Sequence, residues 1–245
     1  DSDGDGCDDS CQPQGYAVVT WGHPYRGGDS SSVSSQLSSG VVEIYSTSEA
    51  FAAIKTDGSV VTWGQPLQGG DSSSVSSQLS SGVVEIFSNS QAFAALKSDG
   101  SVVTWGTSWI GGDSSSVSSQ LSSGVTEIFS NSYSFAALKS DGSVVTWGDH
   151  HYGGDSSSVS SQLSFSVEEI FSTYKAFAAL KSDGSVVTWG DQDYGGDSSS
   201  VSSELVSGVE EIFGTSGAFA ALKSDGSVVT WGGVEYGGDS SAISS

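Results

Sequence analysis

The chain has 245 residues and a formal net charge of −22, with 29 Asp and Glu against 7 Lys and Arg. An acidic surface repels the phosphates of nucleic acids and of anionic membranes, so we exclude nucleic acid as a partner. No apolar run approaches the roughly 20 residues of a membrane span. Aromatic residues recur regularly among long runs of Ser, which predicts a folded chain despite the polar composition.

The first 14 residues form an acidic segment in which carboxylates alternate before Gly6. Calcium prefers several oxygen ligands, and this alternation supplies them. The predicted ligands are Asp1, Asp3, Asp5 and Asp9. The pattern resembles the calcium loop of EF-hands and of thrombospondin type 3 repeats, although Gln12 stands where such loops carry a bidentate acid. We therefore predict calcium as a cofactor of this segment; the alternative is a disordered acidic tail.

Both cysteines of the chain, Cys7 and Cys11, lie in the same segment. Three intervening residues permit a local disulfide if the chain turns between them. Because disulfides persist in oxidising compartments, the pair favours an extracellular or cell-surface location. A zinc site is disfavoured, since two further ligands would be needed nearby.

Residues 15–245 form a repeat domain with a period of 42 residues. Each repeat ends a valine-rich run with Trp-Gly, in most copies within the string DGSVVTWG. The tryptophans at this spacing are Trp21, Trp63, Trp105, Trp147, Trp189 and Trp231. A multi-stranded unit of this length is typical of propellers, whose units bury their apolar faces only against neighbours.

Three short strands are predicted in each repeat. In one copy they are residues 83–87 (VVEIF), 93–97 (FAALK) and 102–105 (VVTW), which are rich in β-branched and aromatic residues. Asp99-Gly100 predicts a two-residue type I′ hairpin turn between the second and third strands, because Gly accepts a positive φ.

The Ser-rich segment after each Trp-Gly predicts one or two helical turns. Asp113 can cap the start of such a turn, and Val117 and Leu121 lie four residues apart on one face. The alternative is an irregular loop. We interpret the Asp of each GGDSSS string as a cap rather than as a cation ligand.

The strings VVEIFS, FAAL and DGSVVTWG, at residues 83–106, together resemble the regulator of chromosome condensation repeat. The resemblance runs through nearly the whole chain from Tyr16 and implies an all-β propeller of about five to six blades. Each blade would hold three strands and a short helical turn; the alternative is an open β-solenoid-like stack. The family's roles on chromatin and on a small GTPase are not transferred, because fold does not settle function and the acidic surface opposes DNA.

One predicted strand is surplus. The VVTW run occurs six times, whereas the other two strand types occur five times each. The extra strand is either residues 17–21 or residues 228–231. Its edge would leave backbone N–H and C=O groups unpaired unless another strand bonds to them. Strand addition between subunits would satisfy it and produce a ring or a filament.

Two short segments vary between repeats: the four residues after Trp-Gly and the tip before the FAAL strand. Variation on a fixed scaffold is typical of binding loops, and aromatics near acids suit a glycan or a protein. The predicted ligand-binding residues are Tyr25, Trp109, Tyr152, Tyr194 and Tyr236. The alternative is tolerated drift in exposed loops.

Catalytic motifs are missing from the sequence. The three histidines belong to no repeated pattern, and no nucleophile elbow, phosphate loop or HExxH string occurs. We therefore expect a non-enzymatic extracellular structural or surface protein that self-assembles through its repeats into a homo-oligomer or a filament, with strand exchange between subunits. The alternative is a monomeric propeller that binds a glycan or a protein through its variable loops.

Overall fold

The structure is a computed structural model that describes residues 15–240. Five three-stranded antiparallel sheets, here called blades 1 to 5, follow one another along the chain. In every blade the middle strand lies between the first and the third. The prediction of an all-β propeller with three-stranded blades is confirmed.

The strand bounds repeat at the 42-residue period. The first strands are β1 (Val41–Ser46), β4 (Val83–Ser88), β7 (Val125–Ser130), β10 (Val167–Ser172) and β13 (Val209–Gly214). The middle strands are β2 (Ala50–Lys55), β5 (Ala92–Lys97), β8 (Ser134–Lys139), β11 (Ala176–Lys181) and β14 (Ala218–Lys223). The third strands are β3 (Val60–Gly64), β6 (Val102–Gly106), β9 (Val144–Gly148), β12 (Val186–Gly190) and β15 (Val228–Gly232).

Two sets of 3₁₀ turns connect the blades. The turns after Trp-Gly are Pro24–Arg26, Pro66–Gln68, Ser108–Ile110, His150–Tyr152, Gln192–Tyr194 and Val234–Tyr236. The Ser-rich turns are Ser31–Val33, Ser73–Val75, Ser115–Val117, Ser157–Val159 and Ser199–Val201. None of the helices in residues 15–240 has the length and apolar character needed to cross a membrane.

The hairpin between the middle and third strands lies at Asp99-Gly100, as predicted, but its turn type differs. Only Gly100 has a positive φ, of 76°, and its N–H donates to the carbonyl of Lys97. The N–H of Lys97 in turn donates to Ser101, which makes a three-residue loop with a left-handed glycine instead of a type I′ turn. The Asp99 carboxylate accepts bonds from the Ser101 hydroxyl and N–H, and these bonds lower its pKa.

The Ser-rich segment forms a single 3₁₀ turn of three residues, the shortest form of the predicted helix. The carboxylate of Asp113 accepts a hydrogen bond of 2.9 Å from the N–H of Ser115, the first residue of that turn. The Ser118 hydroxyl bonds back to the Ser115 carbonyl, and such local serine bonds compete with a longer helix. Leu121 then packs into the core.

Residues 17–21 form no strand, which differs from the expectation of a sixteenth. Only an isolated bridge joins Tyr16 to Val41 of β1. A strand ladder needs a neighbour, and no described residues provide a middle strand beside this segment.

Candidate functional site

The interface between consecutive blades is built from two complementary apolar faces. Each blade has a front face, towards the preceding blade, and a back face, towards the following one. The back face of blade 1 carries Ala50, Ala52 and Ile54, and it packs on the front face of blade 2, which includes Ile86 and Trp105. Equivalent clusters join blades 2 and 3, 3 and 4, and 4 and 5.

An aromatic pair anchors each front face. Phe93 stacks on Trp105 with ring centroids 5.1 Å apart, and the Trp105 indole N–H donates to the carbonyl of Gly69 at 3.0 Å. A Cβ at Gly69 would lie 2.5 Å from the Phe93 ring, so this position requires glycine. The same stack and the same indole bond recur in all five blades.

The front face of blade 1 is exposed in part, although Leu37, Val41 and Trp63 on it are buried. Ile44 keeps 42% of its surface accessible, whereas its counterpart Ile86 in blade 2 keeps 2%. Phe51 is half-buried, although the corresponding Phe93 is fully buried. This face lacks the covering that a preceding blade provides elsewhere.

The back face of blade 5 is exposed as well. Phe213 is 53% accessible and Val228 57%, while their counterparts in blades 1 to 4 are half-buried or less. Ala220 and Leu222 of the middle strand are also half-buried here, whereas the equivalent residues in blades 1 to 4 are buried. Within residues 15–240, no apolar cluster joins blade 5 to blade 1.

The variable segments interlock along one edge of the propeller. At both ends of this edge, residues that end the post-Trp-Gly turns contact tip residues that precede the middle strands, and we call these contacting residues the tip row. Arg26 pairs with Glu49 at 3.3 Å, and Glu49 also accepts a bond from Gln68 at 3.0 Å. Later in the row, the ammonium of Lys175 lies between the rings of Tyr152 and Tyr194, 4.7 and 4.5 Å from their centroids.

The structure brings together three of the five predicted ligand-binding aromatics. Tyr194 lies 5.7 Å from Tyr236 and shares Lys175 with Tyr152. Tyr25 and Trp109 are exposed elsewhere in their own turns. The row also includes Tyr133 and Tyr174, which the sequence interpretation missed.

Tyr133 and Tyr174 meet edge to face, and their hydroxyls are 3.3 Å apart. The hydrogen bond to Tyr174, together with burial, raises the pKa of Tyr133 to about 12. Both residues belong to the second variable segment, the tips before the middle strands, so the variability of that segment was the signal that could have found them. The tip row therefore uses its variable residues to pair neighbouring blades.

The Asp residues of the GGDSSS strings bond the first N–H of their turns, as a cap does, but from one residue before the N-cap position, which a Ser holds. Asp29, Asp71, Asp155 and Asp197 repeat the Asp113 bond at 2.8–2.9 Å. Among the described residues, no group of three or more His, Cys, Asp or Glu is arranged to hold a metal ion. The predicted calcium ligands and the cysteine pair lie outside the described residues.

The first strands align one glutamate from each blade into a column. Its members are Glu43, Glu85, Glu127, Glu169 and Glu211. Burial raises the pKa of Glu127, and the neighbouring charges of Glu169 and Glu85 raise it further. Repulsion between these like charges lowers the stability of the folded chain when the glutamates are ionised.

Five three-stranded blades with paired front and back faces define a β-propeller of short blades, and solved propellers share this fold. Human WBSCR16 superposes with a TM-score of 0.50 at 16% identity, covering 78% of this chain and 61% of that one. Prp20p from Saccharomyces cerevisiae, yeast RCC1, gives a TM-score of 0.48 at 16% identity, over 78% and 57% of the two chains. The ectodomain of the Physcomitrella patens receptor kinase CR4 gives 0.48 at 16% identity, over 78% and 52%.

The likeness to human WBSCR16 confirms the propeller fold expected from the regulator of chromosome condensation resemblance. The chain spans about three fifths of the length of the first of these structures. No family model matches the sequence, and no curated protein does.

Proposed function

We propose that this protein is a non-enzymatic extracellular structural protein whose copies assemble head to tail through the front face of blade 1 and the back face of blade 5. One observation carries the proposal: these exposed faces are the two sides of an interface that already forms four times within the chain. A contact between different patches on two copies is heterologous and propagates into a ring or a filament.

The chemistry of the two faces supports a second copy as the occupant. The front face offers Ile44 and the half-buried Phe51, and the back face offers Phe213, Val228 and Leu222. Fully burying one such side chain contributes about 1.5–3 kcal/mol. A surface of matching shape is available on every other copy, because the repeats are nearly identical in sequence.

The acidic, calcium-loop-like N-terminal segment supports the extracellular setting. Cys7 and Cys11 suit an oxidising compartment. We propose that calcium bound by Asp1, Asp3, Asp5 and Asp9 stabilises this segment rather than supplying any chemistry.

The test is the molar mass in solution of Ile44→Glu beside a matched control, Val42→Glu. Both positions lie in β1 and are exposed, and both variants add one negative charge. Other repeats already carry Glu at the Val42 position, at Glu168 and Glu210. A charge at Ile44 would be buried without a partner on assembly, whereas one at Val42 would not.

We expect the wild type and Val42→Glu to form oligomers or filaments by light scattering and electron microscopy, and Ile44→Glu to need at least about tenfold more protein to do so, the equivalent of about 1.4 kcal/mol. A wild type that stays monomeric at every concentration contradicts the proposal. That result favours the alternative, a monomeric propeller whose exposed Tyr174 and half-buried Tyr236 present an aromatic surface to a glycan or a protein.

A further inference from the structure

Residues 18–22 duplicate the third strand of blade 5. Their sequence, VVTWG, is identical to that of β15. Within β15, Val229 and Trp231 are buried, but their counterparts Val19 and Trp21 are 79% and 84% accessible. The segment therefore carries the core side chains of a third strand without the sheet that would bury them.

The segment already lies at the register of a third strand relative to blade 1. The N–H of Val18 donates to the Leu37 carbonyl at 2.9 Å, as the N–H of Val60 does to Leu79. Val18 packs with Leu37 in the apolar cluster on the front of blade 1. Only the first and middle strands of a preceding blade are lacking among residues 15–240.

We propose that residues 18–22 of one copy replace β15 in blade 5 of a second copy, so that the assembly is joined by strand exchange. This inference rests on the proposed head-to-tail assembly and specifies how the junction is made. The incoming segment would take the present register of β15, in which Ala220 faces Thr230 and Leu222 faces Val228. Thr20 and Val18 would then occupy those two places.

Because the two segments have identical sequences, replacing one with the other changes the free energy of blade 5 very little. Each junction buries Val19 and Trp21 of one copy and releases Val229 and Trp231 of the other, so the apolar area buried in the sheet does not change. The net gain comes from the two end faces, because the back face of blade 5 then covers Ile44 and Phe51 of the partner. Exchange of an identical element between protomers is a low-cost route to assembly.

The connector after residue 22 fits this junction. The connector joins residues 18–22 to β1. It has the same length as the connectors that join each third strand to the first strand of the next blade, because Trp21 and Trp63 are one period apart. The carbonyl of Gly27 in this connector already accepts the Trp63 indole bond at 3.0 Å. If blade 5 of one copy stacked on blade 1 of another without exchange, β15 of the first copy would have to lie where residues 15–22 of the second copy already lie.

The experiment uses two disulfide variants of the full chain, each with Cys7→Ser and Cys11→Ser. The first, Thr20→Cys with Ala220→Cys, reports the exchanged register. The second, Ala220→Cys with Thr230→Cys, locks β15 into its own blade, since these residues face each other across the sheet. Directly paired positions in a sheet have Cα separations that a disulfide can bridge.

We expect the Thr20/Ala220 variant to form disulfide-linked ladders on non-reducing gels, with the crosslinked peptide found by mass spectrometry between chains. The locked Ala220/Thr230 variant should stay monomeric under oxidising conditions and assemble again on reduction. A locked variant that still assembles overturns strand exchange and leaves self-assembly standing. A Thr20–Ala220 bond within single chains also overturns it, and a wild type that never assembles overturns both proposals.

Discussion

Among residues 15–240, Ser166 alone has a positive φ without being a glycine. Ser166 has a φ of 63°, in the left-handed region that disfavours side chains, whereas the equivalent positions hold Gly40, Gly82, Gly124 and Gly208 with φ of 74–76°. The Ser166 carbonyl still accepts the bond from Ser182 that the glycines make in other repeats. The fold therefore imposes the conformation at a cost to this residue.

We expect Ser166→Gly to stabilise the protein by about 1 kcal/mol, because the left-handed conformation costs a residue with a side chain roughly 1–2 kcal/mol. The midpoint of chemical denaturation measures the change. The reverse substitution, Gly124→Ser, is the control and should destabilise by a similar amount, since a Cβ there makes ordinary contacts with the end of Lys139 at 3.4 Å and the Ser140 hydroxyl at 3.7 Å. An unchanged midpoint in both variants would contradict the prediction, because it would mean that the left-handed conformation costs Ser no more than Gly in this turn.

Pairs of elements are matched by their side chains at the blade boundaries. The tip row places an ion pair at Arg26 and Glu49, and a lysine between two tyrosines near its other end. Repeats that are otherwise nearly identical can mispair, and distinct contacts at each boundary favour one order of blades. The periodic part of each repeat thus builds the blade, while the variable part distinguishes it from the others.

Glu127, in the middle of the glutamate column, makes the stability of the fold depend on pH. Because the pKa of Glu127 is raised above its ordinary 4.5, the folded state holds this proton more tightly than the unfolded chain. Its contribution to stability is therefore fully present below about pH 4.5 and is lost as pH rises through the folded pKa. The hairpin aspartates Asp57, Asp99 and Asp141 act oppositely: hydrogen bonds from the serine two residues further on lower their pKa values, and the stability this gives is lost as pH falls.

We expect Glu127→Gln to raise the thermal midpoint at pH 7 and to leave it nearly unchanged at pH 4, where Glu127 is largely protonated in both folded and unfolded chains. Glu204→Gln is the control, because it removes the same charge outside the column at a position where other repeats carry Gln. Equal shifts for both variants at pH 7 would mean that net charge, and not the column, sets the effect.

The whole molecule carries a charge of −22, which opposes any contact between copies. Salt screens this repulsion, since the Debye length falls from about 30 Å at 0.01 M to about 10 Å at 0.1 M. The end faces are apolar and contain no ion pair among the described residues, so screening should not weaken them.

We therefore expect assembly to strengthen as sodium chloride rises from about 10 to 150 mM, as measured by sedimentation at fixed protein concentration. The variant Ile44→Glu should remain dissociated over the same range. Dissociation of the wild type by salt would instead indicate a junction held by charged groups.

The repeat unit can be read from the amino-acid sequence alone. The 42-residue period predicted the position of each blade, and the β-branched runs predicted all fifteen strands that form. The sequence also placed the hairpin turn and the Asp that bonds the start of each Ser-rich turn, because these features depend on neighbours in the chain. The type of the hairpin turn was wrong, since the register of Lys97 with Ser101 is decided by pairing between strands.

The environment of the surplus segment and the contacts of the variable residues depend on how the blades pack. Residues 17–21 have the composition of a strand but no neighbour to pair with, and the sequence cannot show which faces remain uncovered. The same holds for Tyr152, Lys175 and Tyr194, which contact one another across blades. Local patterns specify an element, but burial and pairing depend on which elements the fold brings together.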